Sequence, residues 1–109
     1  MRTLEPGEAD AAQAQLEAAW QRYVRPSPDA DVHDVLVCHG NVIRWFTCKA
    51  LGVDTKQWGS MDVGNGSVTA IVVRPDGVVR LVAYSDVGHI PVAKQTWSGR
   101  GWNVAGVKK

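Results

Sequence analysis

From Glu8 to Val24 the apolar positions return every three or four residues. Ala9, Ala12, Leu16, Ala19 and Tyr23 form one stripe, with Trp20 beside it. That period predicts an amphipathic α-helix with one face toward a core. Glu8 and Asp10 in its first turn and Arg22 and Arg25 near its end suit the helix dipole, and Pro26 and Pro28 stop it. After a polar link the pattern changes. Asp34-Val35-Leu36-Val37-Cys38-His39 holds four consecutive apolar residues between polar ones, which predicts a strand buried on both faces, as in a parallel sheet covered by helices. A second helix is expected from Val42 to Leu51, with Gly52 as its C-terminal cap. Asp54-Thr55-Lys56-Gln57 has the spacing of a capping box and predicts a short helix through Met61.

Gly64-Asn65-Gly66 reads as a loop. Ser67–Val73 and Val78–Tyr84 are rich in β-branched residues, and Pro75-Asp76-Gly77 between them is a turn: proline presets φ, aspartate bonds its own backbone and glycine accepts a positive φ. The two strands should form an antiparallel hairpin. The order helix, strand, helix, short helix, strand, strand is an α/β pattern with an antiparallel pair appended. It contains no repeat, low-complexity tract or internal linker. Beyond Pro91 no period is visible, and residues 95–109, Ser98-Gly99-Arg100-Gly101 above all, are expected to be loose.

Composition narrows the function classes. A chain of 109 residues fits one domain or part of one. Twelve basic and eleven acidic residues are spread without blocks, so neither a nucleic-acid footprint nor attraction to an acidic membrane surface is expected. No apolar run is long enough to span a bilayer, and Met1–Asp10 resembles neither a signal peptide nor a transit peptide. The expectation is a soluble, intracellular protein. Cys38 and Cys48 read as reduced thiols serving as small apolar residues, one ending the buried strand and one inside the second helix. Without histidine at ligand spacing they do not make a metal site.

The chemistry concentrates in Val37-Cys38-His39-Gly40-Asn41-Val42-Ile43-Arg44. A histidine stands where a buried strand ends and a helix starts, the place where open α/β sheets bind ligands. The helix start presents free N–H groups, which favours an anion. Gly40 would allow a tight turn and close approach of a ligand to the backbone. These features predict a phosphate-sized anion touching His39, Gly40 and Asn41, against the alternative of a hydrogen-bonded structural histidine. Elsewhere, His33 in the polar link is expected to be solvated, His89 after the hairpin could approach a site, and Arg44 is expected to make a structural ion pair. A Cys38–His39 catalytic pair is disfavoured because neighbours on a strand point to opposite faces.

Cys38-His39-Gly40-Asn41-Val42-Ile43-Arg44 resembles the second-histidine motif of the histidine phosphatase superfamily, the phosphoglycerate mutase-like group. The resemblance continues through Asn65-Gly66-Ser67, Val73-Arg74-Pro75-Asp76-Gly77 and Asp86-Val87-Gly88-His89-Ile90-Pro91, and covers about Glu8 to Lys94. It implies that residues 1–109 are a single partial domain, the C-terminal half of a helix-covered phosphoglycerate mutase-like sheet. It implies a phosphomonoesterase without metal or other cofactor, most similar to members acting on phosphoserine and phosphothreonine in proteins, and hence a mitochondrial compartment although no targeting segment is seen. His39 takes the catalytic role of the second pocket histidine, hydrogen-bonding the transferring phosphoryl group with Gly40 and Asn41 beside it.

The family's nucleophile is the histidine of an Arg-His-Gly motif, and this chain has none: His33 follows valine, His39 cysteine and His89 glycine. His89 also stands where the resemblance leads one to expect an apolar aromatic residue. Two readings follow. The chain is part of a phosphatase acting on a phosphoprotein or a small phosphomonoester, or it is a catalytically dead module that binds phosphate or phosphoprotein. In the second case it would pair with a copy of itself or with a complementing chain.

Overall fold

The computed structural model describes residues 6–97, with side chains from residue 11 onward. Helix α1 spans Pro6–Tyr23 and helix α2 spans Gly40–Leu51. A short 3-10 helix, Thr55–Ser60, follows, then the antiparallel strands β1 (Val68–Val73) and β2 (Val79–Asp86), and a last 3-10 turn at Val92–Lys94. This is a mixed α/β arrangement, consistent with part of a phosphoglycerate mutase-like fold.

Helix α2 is the centre of the packing. Trp45, Phe46, Thr47 and Cys48 are four consecutive buried residues. Since 3.6 residues make one turn, the helix is covered on every side at that level. On one side lies α1, through Trp20. Its ring meets Phe46 edge-on at 5.4 Å between centroids and Trp45 at 6.3 Å. Each such aromatic pair is worth about 0.5–1.5 kcal/mol beyond the area it buries. Trp45 Nε1 donates to Gln13 Oε1 at 3.2 Å, which satisfies the indole, and Lys49 pairs with Glu17 at 3.0 Å. Both Lys49 and Glu17 are partly exposed, so that pair adds at most about 1 kcal/mol. On the other sides are Val63, also buried, and Met61, whose sulfur lies 3.6 Å from Cys48 Sγ. Thr47 Oγ1 donates back to Ile43 O at 2.8 Å and so enters the core without an unpaired hydroxyl.

The helix ends follow their local chemistry. Gly52 adopts φ 69°, the left-handed conformation that glycine takes without a Cβ penalty. There its N–H reaches Lys49 O at 3.2 Å, and Val53 N reaches Cys48 O at 2.9 Å. Asp54 caps the next element through Lys56 N at 2.9 Å. The element is a 3-10 turn, and Gln57 gives Asp54 only its backbone N–H, so half of the expected capping box forms.

The hairpin forms as expected. Gly77, at φ 88°, closes its turn with N–H to Arg74 O at 2.8 Å, and Asp76 Oδ1 accepts from Val78 N at 3.1 Å. The register runs Val73↔Val79, Val72↔Arg80 and Ile71↔Leu81, then slips to Ala70↔Ala83 and Val68↔Asp86. Two extra residues of β2 are bulged out there, which bends the strand around α2. Ser85 sits in this irregular stretch at φ 53°. Its N–H donates to Thr69 Oγ1 at 3.1 Å, and its Oγ accepts from Gly64 N at 2.8 Å. Tyr84 Oη donates to Asp62 O at 2.8 Å, a second tie from β2 to the segment entering the hairpin.

Two expectations are corrected. Residues 34–39 form no strand, and no backbone hydrogen bond joins residues 34–38 to another described residue. Val35 is 88% exposed and Val37 97%. The four-residue apolar run describes a strand between two neighbours, and no neighbour is supplied by the described residues. Cys38 is therefore exposed rather than buried. Second, residues 95–97 are not loose. Trp97 bridges Gly64, Asn65 binds Thr96 through backbone and side chain at 2.9 Å, and buried Gln95 donates to Val87 O and Ile90 O. Residues 98–109, including the Ser98–Gly101 stretch, lie outside the described residues.

Two measurements test this packing. Trp45→Ala should cost about 3–5 kcal/mol in urea unfolding, whereas Val72→Thr on the exposed side of the hairpin should stay within about 1 kcal/mol. Burial pushes the Tyr84 phenol above its ordinary value of 10.0, with the Arg44 charge opposing it. The folded state therefore holds this proton more tightly than the unfolded one, so the contribution is complete below pH 10 and is lost as pH rises through the folded value. Tyr84→Phe should lower stability by about 1 kcal/mol at pH 7 and flatten the alkaline fall.

Candidate functional site

Residues 34–38 deliver His39 to the first turn of α2. His39 keeps strand-like angles, φ −93° and ψ 164°, and occupies the position before the first helical residue. Its carbonyl accepts the first helical bonds, from Val42 N at 3.1 Å and Ile43 N at 3.2 Å. A serine or aspartate here would fold its side chain onto the free N–H groups of the turn. The imidazole does not, and His39 makes no side-chain cap. The backbone N–H groups of Gly40 and Asn41 have no partner among the described residues. No acidic side chain lies in the first turn, so the positive end of α2 stays uncompensated. The result is an exposed imidazole next to two free amide donors, an arrangement suited to an oxyanion.

Gly40 differs from the expectation of a tight turn. It is the first residue of α2 and has no positive φ, and a Cβ built on it would meet only Val63 Cβ, at 4.0 Å. It leaves an open approach to the turn rather than making one. Asn41 is exposed, and its Oδ1 accepts from Arg44 Nη1 at 3.0 Å. The Arg44 guanidinium lies 5.8 Å from the Trp58 ring centroid.

The remaining candidates separate from this turn. His33 is exposed in the link. His89 is spent on structure: its Nε2 lies 2.9 Å from Gly66 O and ties the loop after the hairpin to the loop before it. Cys38 Sγ reaches only Leu36 O, at 4.0 Å, and partial shielding pushes its thiol up, away from the thiolate a nucleophile needs. Cys48 is buried, and burial together with Asp54 pushes its thiol up as well. Among the described residues no three His, Cys, Asp or Glu side chains stand at metal-binding spacing, and no helix is long and apolar enough to cross a membrane.

A cavity of about 530 Å³ opens between α1, the start of α2 and the 3-10 helix. Leu16, Ala19, Val42, Trp45 and Trp58 give it apolar walls, with Asn41 and Lys56 among its polar ones. Reading the sequence missed it, because its walls come from three separate elements. His39 is not in its wall. Within the described residues His39 therefore has donors beside it but no enclosing pocket.

A mixed α/β arrangement with an exposed histidine at the start of a buried helix has a place among known proteins. The chain belongs to the histidine phosphatase superfamily (branch 1), whose model matches residues 3–87. Among curated relatives it is similar to the mitochondrial serine/threonine-protein phosphatases PGAM5 of Xenopus tropicalis and Homo sapiens and Pgam5 of Caenorhabditis briggsae. It is 37% identical to the first over 84 residues, 36% to the second over 88 and 39% to the third over 80. These alignments cover 74%, 78% and 71% of this chain but only 30%, 30% and 28% of the relatives. The chain thus spans less than a third of their length.

The exposure of His39 leads to a clear expectation. Because its side chain has no partner among the described residues, His39→Ala should change the urea midpoint by less than the equivalent of about 0.5 kcal/mol. A larger loss would make His39 a structural residue and remove it from the site.

Proposed function

We propose that this chain supplies the second pocket histidine of a histidine-type phosphomonoesterase acting on phosphoserine or phosphothreonine in proteins. The observation that carries the reading is the free imidazole of His39 beside the unpaired N–H groups of Gly40 and Asn41. Phosphoryl transfer needs charge stabilisation on the equatorial oxygens more than it needs bond-making by the protein. His39 donates a hydrogen bond to one such oxygen, and the two amides add weaker donors along the axis of α2.

The substrate class and a mitochondrial compartment rest on the names of the relatives, which are serine/threonine-protein phosphatases described as mitochondrial. The covalent step belongs to a different histidine. In the family a nucleophilic nitrogen bonds to phosphorus as the ester oxygen leaves with a proton, and water then breaks the N–P bond. None of His33, His39 or His89 lies in the Arg-His-Gly context of that nucleophile. Turnover therefore requires a polypeptide that carries it.

The exposed apolar run before His39 favours a second reading alongside the first: a phosphate- or phosphoprotein-binding module that pairs with another chain. Val35, Leu36 and Val37 are 88%, 44% and 97% exposed. Covering three such side chains would gain roughly 1.5–3 kcal/mol each at full burial, enough to drive a pairing.

One experiment separates the two readings. The chain alone should not hydrolyse p-nitrophenyl phosphate; turnover by the chain alone that His39→Ala abolishes would show a nucleophile within it. Adding a separate polypeptide that covers the rest of the phosphatase domain should restore turnover. In that mixture His39→Ala should lower the rate about a hundredfold or more. Pairing without turnover would favour the binding module.

A further inference from the structure

The first turn of α2 contains its own competitor for an anion. Asn41 is a short polar side chain beside free backbone N–H groups, and such side chains readily fold back to hydrogen-bond neighbouring amides. Here it does not, because its Oδ1 is held by Arg44 Nη1 at 3.0 Å, one helical turn along the same face. Arg44 is itself held from another element. Its guanidinium lies over the Trp58 ring of the 3-10 helix, 5.8 Å from the centroid. It also faces the Tyr84 phenol of β2, which Arg44 biases toward the ionised form by charge and hydrogen bonding. Tyr84 is anchored in turn to Asp62 O at 2.8 Å. Arg44 Nε is buried with no hydrogen-bond partner, so the position is set by the outer nitrogens and the ring contact.

We propose that Arg44 is a positioning residue of the His39 turn: anchored on Trp58, it holds the Asn41 carboxamide away from the Gly40 and Asn41 amides and so keeps those donors available to a phosphate. The consequence for phosphate rests on the reading of His39 given above; the placement of Asn41 does not. A planar guanidinium can bond Asn41 and lie on Trp58 at once. An ammonium carries the same charge without that fork, so lysine should not substitute.

The test uses this chain, titrated with inorganic phosphate and followed by amide NMR. Arg44→Gln and Arg44→Lys should both move the Gly40 and Asn41 backbone amide resonances and weaken phosphate binding about fivefold or more, while circular dichroism keeps the helical signal. Adding Asn41→Ala to Arg44→Gln should recover part of that loss, because the competitor is gone. Full affinity in Arg44→Lys would mean that only charge matters, and a double variant no better than Arg44→Gln would mean that Asn41 does not compete. Either result overturns the proposal. Should Arg44→Gln fail to fold, the pair Arg44→Lys and Arg44→Lys with Asn41→Ala gives the same comparison. His39→Ala that binds phosphate like the original chain would overturn the reading of His39 instead. If the unsubstituted chain binds no phosphate, the amide resonances decide alone: movement in Arg44→Lys supports the positioning role, and unmoved resonances overturn it.

Discussion

The contact of Trp20 with Trp45 and Phe46 is the interaction on which the rest of the structure depends. Among the described residues the buried apolar side chains are Trp45, Phe46, Cys48 and Val63, and three of these four lie on α2. So small a core leaves little redundancy, and its aromatic rings carry most of the buried area. Trp20 docks α1 onto the centre of α2, while Val63, Met61 and the β2 ties at Tyr84 and Ser85 hold the opposite sides. The direction of α2, and with it the direction in which Gly40 and Asn41 aim their N–H groups, is set by that clamp. His39 contributes nothing to the packing and inherits its position from it.

The sharpest contrast in the molecule is between the ordered start of α2 and the uncovered apolar run that leads into it. A single segment without a neighbouring strand has no ladder to satisfy its backbone, and residues 34–38 find none among the described residues. Helix α2, by contrast, closes its own hydrogen bonds and needs only side-chain packing, which α1, the 3-10 helix and the hairpin supply. Elements whose bonds are local therefore form within this stretch of chain, while the one whose bonds are long-range stays open. The same division passes through the site: the amide donors of the helix are in place, and the walls that would enclose a phosphate around His39 are not.

How much was legible in the sequence follows the same line between local and long-range. The 3.6-residue period of α1, the glycine that ends α2, the Asp54 cap and the Pro75-Asp76-Gly77 turn each depend on a few neighbouring residues, and each was readable. The strand at 34–39 was misread as buried because hydrophobicity records the environment a segment is suited to, not whether its neighbours are present. Trp20 was placed beside the helical stripe, yet its ring makes the main contact between the helices; a large side chain reaches across positions that a period assigns to the edge. The anchoring of Thr96 on Asn65 was invisible because it joins residues 31 apart, and that of Gln95 because its bonds to Val87 O and Ile90 O depend on how the loop folds. For the site, His39 and the open helix start were readable from the strand-to-helix junction. The link from Asn41 to Arg44 was present as a three-residue spacing, but its anchor on Trp58 required the tertiary structure.

Charge and geometry at this turn act against each other in a way that explains why a side chain other than a capping carboxylate serves at the helix start. An aspartate in place of His39 would cap α2 better, by about 1 kcal/mol, and would add a negative charge beside the free N–H groups. Histidine gives up the cap, keeps both amides free and adds a donor of its own. Asn41 carries the same risk in milder form, since its carbonyl oxygen can satisfy the turn from within. Stability of the helix start and readiness to bind an anion thus draw on the same N–H groups, and a gain in one is a loss in the other. In the role proposed for Arg44, its bond to Asn41 resolves that competition with an interaction outside the turn, at the ring of Trp58, so that the donors stay free without the helix having to fray.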